Sequence, residues 1–458
     1  MRKAEIYGGA ALAASFFFGG AARVGAASDA VPQLLSLPIL VLLAPQLPAI
    51  FRGRAGPLAL LAFIVAIPLI QLIPLPPAVW EALPGRSAQV EVFRVAGIAP
   101  SWLPISMSPW ATIRVALSLL PPVAVFFGFL ACDAGARMRL WAVILAVGFL
   151  SILLNAAQMV DGPDSILRFH ALASKTESPG FFANRNHNAA FLYLMIPVAA
   201  LLFERAPARY RPQALAGLIG FYVLNFLGLM TTGSKSALLL GVAAHLLSYT
   251  LVLRRGGWAL AGRKTWALLG VLGGLVLTSL LALSFGLLQI LDRFQTDIIV
   301  ADYRWKIARL SVAAIKEFFP VGSGLGTFER VFPRFEPTRD IIPAVVNHAH
   351  NDWIELLIET GAFGLVALAG FFALTAACLV RNFQDSQVSS QKERAAAFIV
   401  VALLLIHSLW DYPLRTEALM MLFAACCATL ATAFGEAREV ALSPKVGMRS
   451  GRAASAMT

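Results

Sequence analysis

Charge is scarce in this 458-residue sequence: Asp, Glu, Lys and Arg together supply 14% of it, against roughly 25% in an average soluble domain. Apolar residues supply 59%, and mean hydropathy is +0.75. That balance excludes intrinsic disorder, a secreted disulfide scaffold and an ordinary cytosolic enzyme. Cysteine is scarcer still, with four residues. Cys132, Cys378, Cys426 and Cys427 lie in or beside apolar runs, so the polar loops need no disulfide and hold no CxxC-type metal site. Acidic residues are in deficit, 25 against 37 basic, for a net charge of +12. In a soluble domain that excess would suggest nucleic acid. Here the basic residues are spread over connections between apolar runs, with no basic, aromatic-interleaved patch. The implied partner is the lipid bilayer, and no nucleic acid.

A bilayer core of about 30 Å takes roughly 20 helical residues to cross. About twelve such runs follow one another, near 6–25, 33–51, 57–76, 110–131, 138–159, 187–204, 213–231, 235–254, 265–290, 353–380, 395–410 and 415–435. The expected fold is therefore all-α and polytopic. The first run follows Met1-Arg2-Lys3 and lacks a convincing cleavage site, so it reads as an anchor. Lys and Arg in short loops set orientation. With the N-terminus inside, the inner segments carry Arg52/Arg54, Arg137/Arg139, Arg205/Arg209/Arg211, Arg254/Arg255/Arg263/Lys264, Arg381/Lys392/Arg394 and a tail with Arg438, Lys445, Arg449 and Arg452. The short outer connections near 26–32 and 411–414 carry none. Both termini are expected in the cytoplasm.

Three outer segments are long, about 77–109, 160–186 and 291–352, and loops of that length tend to be functional. The last holds a helix with Tyr303, Ile307, Leu310, Ala314 and Phe318 on one face and Arg304, Lys306, Arg309 and Lys316 elsewhere. Such a helix can lie at a membrane interface, its cations near headgroups or a phosphorylated lipid, or it can be an amphipathic connector. It runs into Val321-Gly322-Ser323-Gly324-Leu325-Gly326-Thr327-Phe328. The alternating glycines resemble a dinucleotide fingerprint, but no strand precedes them, so they read as a turn where backbones approach closely. The loop ends at His348-Ala349-His350-Asn351-Asp352-Trp353-Ile354-Glu355, with Glu359-Thr360-Gly361 beyond. Two of the chain's six histidines stand here. HExxH spacing is absent, which disfavours a metal. Imidazole titrates near neutrality and suits a general base, with Asn351 orienting it or the substrate, or capping the next helix.

Three more polar clusters fall on the same expected side. Asn184-Arg185-Asn186-His187-Asn188 opens the sixth run, where such residues are costly unless they line a wet cavity. Thr231-Thr232-Gly233-Ser234-Lys235-Ser236 opens the eighth; its order is not that of a P-loop, and Lys235 reads as an ion-pairing or snorkelling cation. His407-Ser408-Leu409-Trp410-Asp411-Tyr412-Pro413-Leu414-Arg415 closes the eleventh. One shared outward-facing site is the economical reading.

In this order the clusters resemble the O-antigen ligase/polymerase superfamily, over roughly 160–415, with the His350-Asn351 and Glu359-Thr360-Gly361 elements the most specific. The resemblance implies a GT-C-like membrane glycosyltransferase with a large periplasmic loop, 291–352, between the ninth and tenth helices. It implies N-terminal helices over 1–159, a ligase/polymerase-like core over 160–435 and a cytoplasmic tail over 436–458. Such an enzyme sits in the bacterial inner membrane. It moves a glycan from undecaprenyl diphosphate to a glycan or lipid A core acceptor, inverting the sugar, with no metal and no cofactor. By resemblance His350 is the base, and Arg304 and Lys235 hold the departing diphosphate. Lys235 stands where the family commonly has arginine, and lysine lacks the bidentate fork. Asn184, Arg185, Asn186, His348, Asn351, Glu359, Asp411 and Arg415 are the expected substrate-binding residues. Other readings are a polysaccharide or lipid-carrier transporter and a protein-targeting oligosaccharyltransferase. A transporter would carry ionisable groups at midplane and related halves, whereas these clusters gather at one rim.

The orientation is testable with an impermeant thiol reagent. Single cysteines placed near 170 and 335 should label in intact spheroplasts, and ones near 258 and 445 should not. Labelling at 258 would reverse the topology.

Overall fold

The computed structural model describes residues 2–21, 27–170, 178–253, 303–338 and 345–442. The expected ninth run at 265–290, the basic segment at 254–264 and the tail beyond 442 lie outside them. The protein is an all-α polytopic membrane protein. Its principal helices are α1 (Arg2–Phe18), α2 (Ala30–Leu43), α3 (Ala55–Gln71), α4 (Pro109–Ser118), α5 (Leu120–Ala131), α6 (Ala134–Asp161), α7 (Arg185–Glu204), α8 (Arg211–Thr231) and α9 (Lys235–Leu253). They continue with α10 (303–318), α11 (Asp352–Thr360), α12 (Ala362–Gln384), α13 (Val388–His407) and α14 (Glu417–Leu442). Two-residue strands β1 (Pro74–Leu75) and β2 (Leu103–Pro104) pair antiparallel and close the segment between them.

Seven described helical stretches are long and apolar enough to cross a bilayer: Ala30–Phe51, Pro109–Ala131, Ala134–Asp161, Arg185–Glu204, Ala208–Thr231, Ala362–Gln384 and Glu417–Gly435. Tyr7–Phe18, Ala55–Gln71 and Leu239–Val252 are apolar but shorter. The run expected at 353–380 is two helices. Gly361 (φ 56°, ψ −127°) breaks it, leaving α11 as a nine-residue piece ahead of the spanning α12.

Burial sorts the helices by position. α7 packs against α6, α8, α9 and α13; 89% of its apolar window is buried, against 11% for α12. A helix that is apolar all round is stable in the middle of a bundle or against lipid, and these two take the two places. α14 closes the core against α5 and α13, while α12 leans on α3 and α14.

One end of the bundle is tied by ions. Arg137 of α6 grips Glu393 of α13 through Nε and Nη2 at 2.8 and 3.1 Å, with both side chains buried. Lys392 pairs with Glu204, and Arg394 with Asp385. Fixed ion pairs satisfy cations that would be expensive to bury alone.

The other end is tied by backbone. The apolar face of α10 is as the spacing predicts: Ile307, Ala314 and Phe318 are buried, and Tyr303 and Leu310 pack beside them. It meets Phe328, Phe332, Ala349 and Ile358, so protein covers the face that could have served a membrane surface. The glycine turn after it then docks on the end of α11. Ser323 N donates to Ile358 O at 3.0 Å, Gly324 N to Glu359 O at 2.9 Å, and Ala362 N to Pro320 O at 2.8 Å. Gln71 of α3 locks the pair, donating to Glu359 O and accepting from Leu325 N. Close approach, the reading given to the three glycines above, is what the turn provides. Gly322 has φ 78°, and a Cβ there would run into the Glu359 carbonyl.

Gly97 offers a control, with φ 66° and nothing within 4 Å of an added Cβ. Gly97→Ala should cost about 1–2 kcal/mol, the strain of a left-handed residue. Gly322→Ala should cost clearly more, because the docked backbone must also move. Thermal unfolding of the purified variants in detergent checks the difference. Equal losses would mean that the contact is not a constraint.

Candidate functional site

At the backbone-tied end, four chain segments converge on Asp411 and Tyr412. The loop that carries them joins α13 to α14 and is held by main-chain and side-chain bonds to α11. Asp352 N donates to Ser408 O at 3.0 Å, and its carboxylate accepts from Ser408 Oγ at 2.8 Å and Leu414 N at 3.2 Å. Asn351 caps α11, its Oδ1 accepting from Ile354 N at 3.0 Å while Nδ2 donates to Leu409 O at 2.7 Å. The cap therefore also fastens the loop.

Tyr412 is the hub. His348 stacks on its ring with centroids 4.1 Å apart, and His350 and His187 meet it edge-on at 5.1 and 4.9 Å. Its hydroxyl accepts from Asn184 Nδ2 at 3.4 Å. Burial and the nearby Asp411 charge push the phenol up to about 12, so the ring is a neutral wall. His187 is fixed from behind by Thr416, 2.9 Å from its Nδ1.

Asp411 is fully buried and is the charge of the cluster. Asn186 Nδ2 donates to Oδ2 at 2.7 Å, and Tyr412 N to Oδ1 at 3.0 Å. His350 Nδ1 lies 3.6 Å from Oδ1, and His407 Nε2 3.8 Å from Oδ2. These are charge contacts longer than hydrogen bonds. Burial opposes ionisation of Asp411, but His350 and His407 outweigh it and hold the carboxyl well below the usual range. His350 itself has φ 49°, the one non-glycine residue with positive φ among the described residues. Such strain persists only where surroundings over-determine it, and it gathers at functional sites.

Arg304, near the start of α10, reaches the same loop. Its Nη1 donates to Trp410 O at 3.2 Å, and its Nε is buried without a hydrogen-bond partner. The guanidinium and the His350 ring thus meet adjacent residues, Trp410 and Asp411. Asn184 caps α7 through Asn186 N, which places the Asn184 and Asn186 side chains at the loop. Arg185, the first residue of α7, is half-buried; Lys235, the first of α9, is exposed. The ring cluster is built from neither.

His348, Glu359 and Arg415 belong to an ionic layer beneath. Arg415 Nη1 is 2.7 Å from Glu359 and 3.4 Å from Glu355, and its Nε is 3.5 Å from Asp352. His348 Nδ1 is 2.9 Å from Glu355 Oε1, and Ala349 N donates to Oε2 at 2.8 Å. Burial raises Glu359, and raises Asp352 to about 6. Burial opposes the Glu355 charge too, but Arg415 and His348 hold it at about 2. Burial likewise disfavours charged His348, yet Glu355 outweighs it and lifts the imidazole above its ordinary value.

Tyr412, His187 and Gln71 are the site-building residues that spacing did not single out. The first two sit inside polar clusters quoted above, but an aromatic hub has no periodic signature. Gln71 ends an apolar run, and its polarity was the available signal. Among the described residues, no group of three or more His, Cys, Asp or Glu side chains is placed to hold a metal ion.

A family model described as O-antigen ligase matches residues 220–369. The match begins in α8, ends in α12, and takes in Lys235, Arg304, the glycine turn and the stretch from His348 to Glu359. Asn184, Asn186, Asp411 and Arg415 lie outside it and join the cluster in space. No curated protein matches the chain.

The His348–Glu355 pair carries a pH signature. A raised histidine contributes fully below its unfolded value, 6.5, and loses that contribution as pH rises through the folded value. Glu355, depressed to about 2 from 4.5, contributes fully above 4.5 and fades as pH falls. The pair is therefore strongest between these limits. The stability deficit of His348→Gln relative to wild type should be largest near pH 5–6 and shrink above neutrality. A deficit that grows with pH would reverse the assigned charge on His348.

Proposed function

Because residues 220–369 carry an O-antigen ligase domain, which places the chain in the O-antigen ligase/polymerase superfamily, we propose that it moves a glycan from undecaprenyl diphosphate to a sugar acceptor. The reaction takes place on the periplasmic face of the bacterial inner membrane, in the assembly of O-antigen or another surface polysaccharide. The observation that carries the reading is His350: strained in backbone, partly exposed in side chain, and set beside a buried carboxylate.

In this mechanism Nδ1–H of His350 faces Asp411 and Nε2 is the base. Nε2 takes the proton of the acceptor hydroxyl as that oxygen attacks the anomeric carbon. The bond from that carbon to the diphosphate oxygen breaks, and its electron pair leaves with the diphosphate. Attack opposite the leaving group inverts the centre. The Asp411 charge stabilises the imidazolium that forms, and a long resting contact can tighten as it does. Arg304 supplies a cation to the developing negative charge, which a dry site rewards more than water does; Lys235, exposed at the start of α9, is the second proposed cation on the resemblance alone. Asn184 and Asn186, by holding Tyr412 and Asp411, position the base; Asn351 and Arg415 hold the loop and helix that carry it. Neither a metal nor a cofactor enters these steps.

The test is transfer from a polyprenyl-diphosphate glycan in vitro, with carrier affinity measured separately. His350→Ala should bind the carrier normally and lose about 10²–10⁴-fold in turnover, the typical weight of a general base. Arg304→Ala should weaken binding and turnover together, since its charge meets the diphosphate before and during reaction. Arg304→Lys should recover only part, for want of the fork. Near-normal turnover in His350→Ala, with loss in His348→Ala, would assign the base to the wrong histidine.

A further inference from the structure

Behind His348 lies a second, polar pocket that the mechanism above does not use. One face of the His348 ring is covered by Tyr412, yet the side chain also lines a cavity of about 90 Å³ that Tyr412, Asp411 and Arg304 do not touch. Glu355, Glu359 and Arg415 line its inner part, and Asn347 joins it to the His350 segment. Trp110 of α4 stands at the mouth, 61% exposed. Arg114, one turn on, holds its guanidinium 5.5 Å from the centre of the indole. Arg330, from the short helix after the glycine turn, is exposed on the rim, beside Glu329, which also lines the pocket. Among the described residues neither arginine forms a salt bridge, whereas Arg415 inside is met by three carboxylates.

Each part has a chemical reading. An exposed indole is a platform for the C–H face of a pyranose. Two exposed rim arginines attract an anion and can grip a planar carboxylate or a phosphate through paired N–H donors. The carboxylates and the asparagine inside suit hydroxyl donors. A lipid headgroup would need only the cationic rim and would leave the hydroxyl-accepting floor unused. Ligand pockets that enclose a whole small molecule run to about 300 Å³ or more, so this one admits a hydroxyl-bearing arm while the ring stays outside on Trp110 and its anionic group stays at the rim. Its wall is His348, two residues from His350, and Arg304 is not part of it. That places the ligand on the acceptor side of the reaction and not on the diphosphate side.

We propose that this pocket is an acceptor subsite selecting a saccharide with an anionic substituent, with Trp110 under the sugar ring and Arg114 and Arg330 reading the charge. The assignment to the acceptor rests on the glycan-transfer reading given above.

Binding, not turnover, tests it. The full-length protein in neutral detergent is titrated with methyl β-glucuronide and methyl β-glucoside, followed by saturation-transfer NMR, which detects weak ligands. The glucuronide should bind about tenfold tighter, the weight of one charge-assisted hydrogen bond. Replacing both arginines (Arg114→Gln with Arg330→Gln) should erase that preference and leave glucoside binding unchanged. Trp110→Ala should weaken both sugars alike. Equal binding of the two sugars to the wild type, or a preference that survives the double variant, would overturn the proposal. So would displacement of the glucuronide by phosphatidylglycerol vesicles, which would make the rim a headgroup site. If the preference holds while no polyprenyl-diphosphate glycan is transferred, the transferase reading falls and the anionic-sugar site stands. If transfer holds without the preference, only the subsite falls.

Discussion

The Arg415 guanidinium among Asp352, Glu355 and Glu359 is the interaction on which the backbone-tied end depends. Three carboxylates on one short helix repel one another, and taking them out of water is costly. A single cation reaching all three makes α11 tenable. Once α11 is held, Glu355 Oε1 meets both Arg415 and His348 while Oε2 accepts from Ala349 N, and Asn351 can cap the helix and tie down Leu409. The His348–His350 segment then has no slack. The left-handed conformation of His350 is the residue of those constraints: its neighbours on both sides are fixed, and the backbone between them takes the strain. Removing Arg415 would leave buried, uncompensated acids, so its contribution is structural before it is chemical.

Much of this end was legible in the sequence, because it is written in local rules. The i, i+4, i+7 spacing from Tyr303 to Phe318 marks a buried face, and that face is buried. Asn351 stands where an N-cap belongs. The three glycines mark close backbone approach: an added Cβ would meet Glu359 at Gly322, Ser106 at Gly324, and Val115 and Ala111 at Gly326. What periodicity does not carry is contact across long separations. Gln71 meets Glu359 from the first part of the chain, and no window of sequence contains both. Tyr412 gathers three histidines that come from two segments far from its own. The break at Gly361 was hidden because apolar residues continue on both sides of it, so hydropathy ran α11 and α12 together. Of the about twelve spans expected, seven described stretches are long and apolar enough to cross a bilayer, and the run at 265–290 lies outside the described residues.

The bundle's two ends divide the work of holding polar groups in a membrane protein. At one end Arg137–Glu393, Lys392–Glu204 and Arg394–Asp385 are paired ions. At the other the acids and cations are unevenly shared. Arg415 takes three carboxylates, Asp411 faces two histidines at more than hydrogen-bond distance, and Arg304 keeps a buried Nε–H unsatisfied. Unequal sharing is the condition under which a substrate can improve the local electrostatics by binding, and paired ions offer no such gain. The proposed chemistry sits at this second end, beside Asp411 and Arg304.

The enclosure of α7 has a consequence for how the enzyme meets its surroundings. A bilayer that thickens or thins acts on the helices it touches, by tilting them or dragging their ends toward the headgroups. α12, almost entirely open to the surroundings, takes that load, whereas α7 meets only other helices. Asn184 and Asn186 open α7, so the residues that fix Tyr412 and Asp411 are referenced to a shaft that lipid does not reach. The geometry around His350 is thereby insulated from hydrophobic mismatch, and lipid composition can vary without retuning the distance between His350 and Asp411.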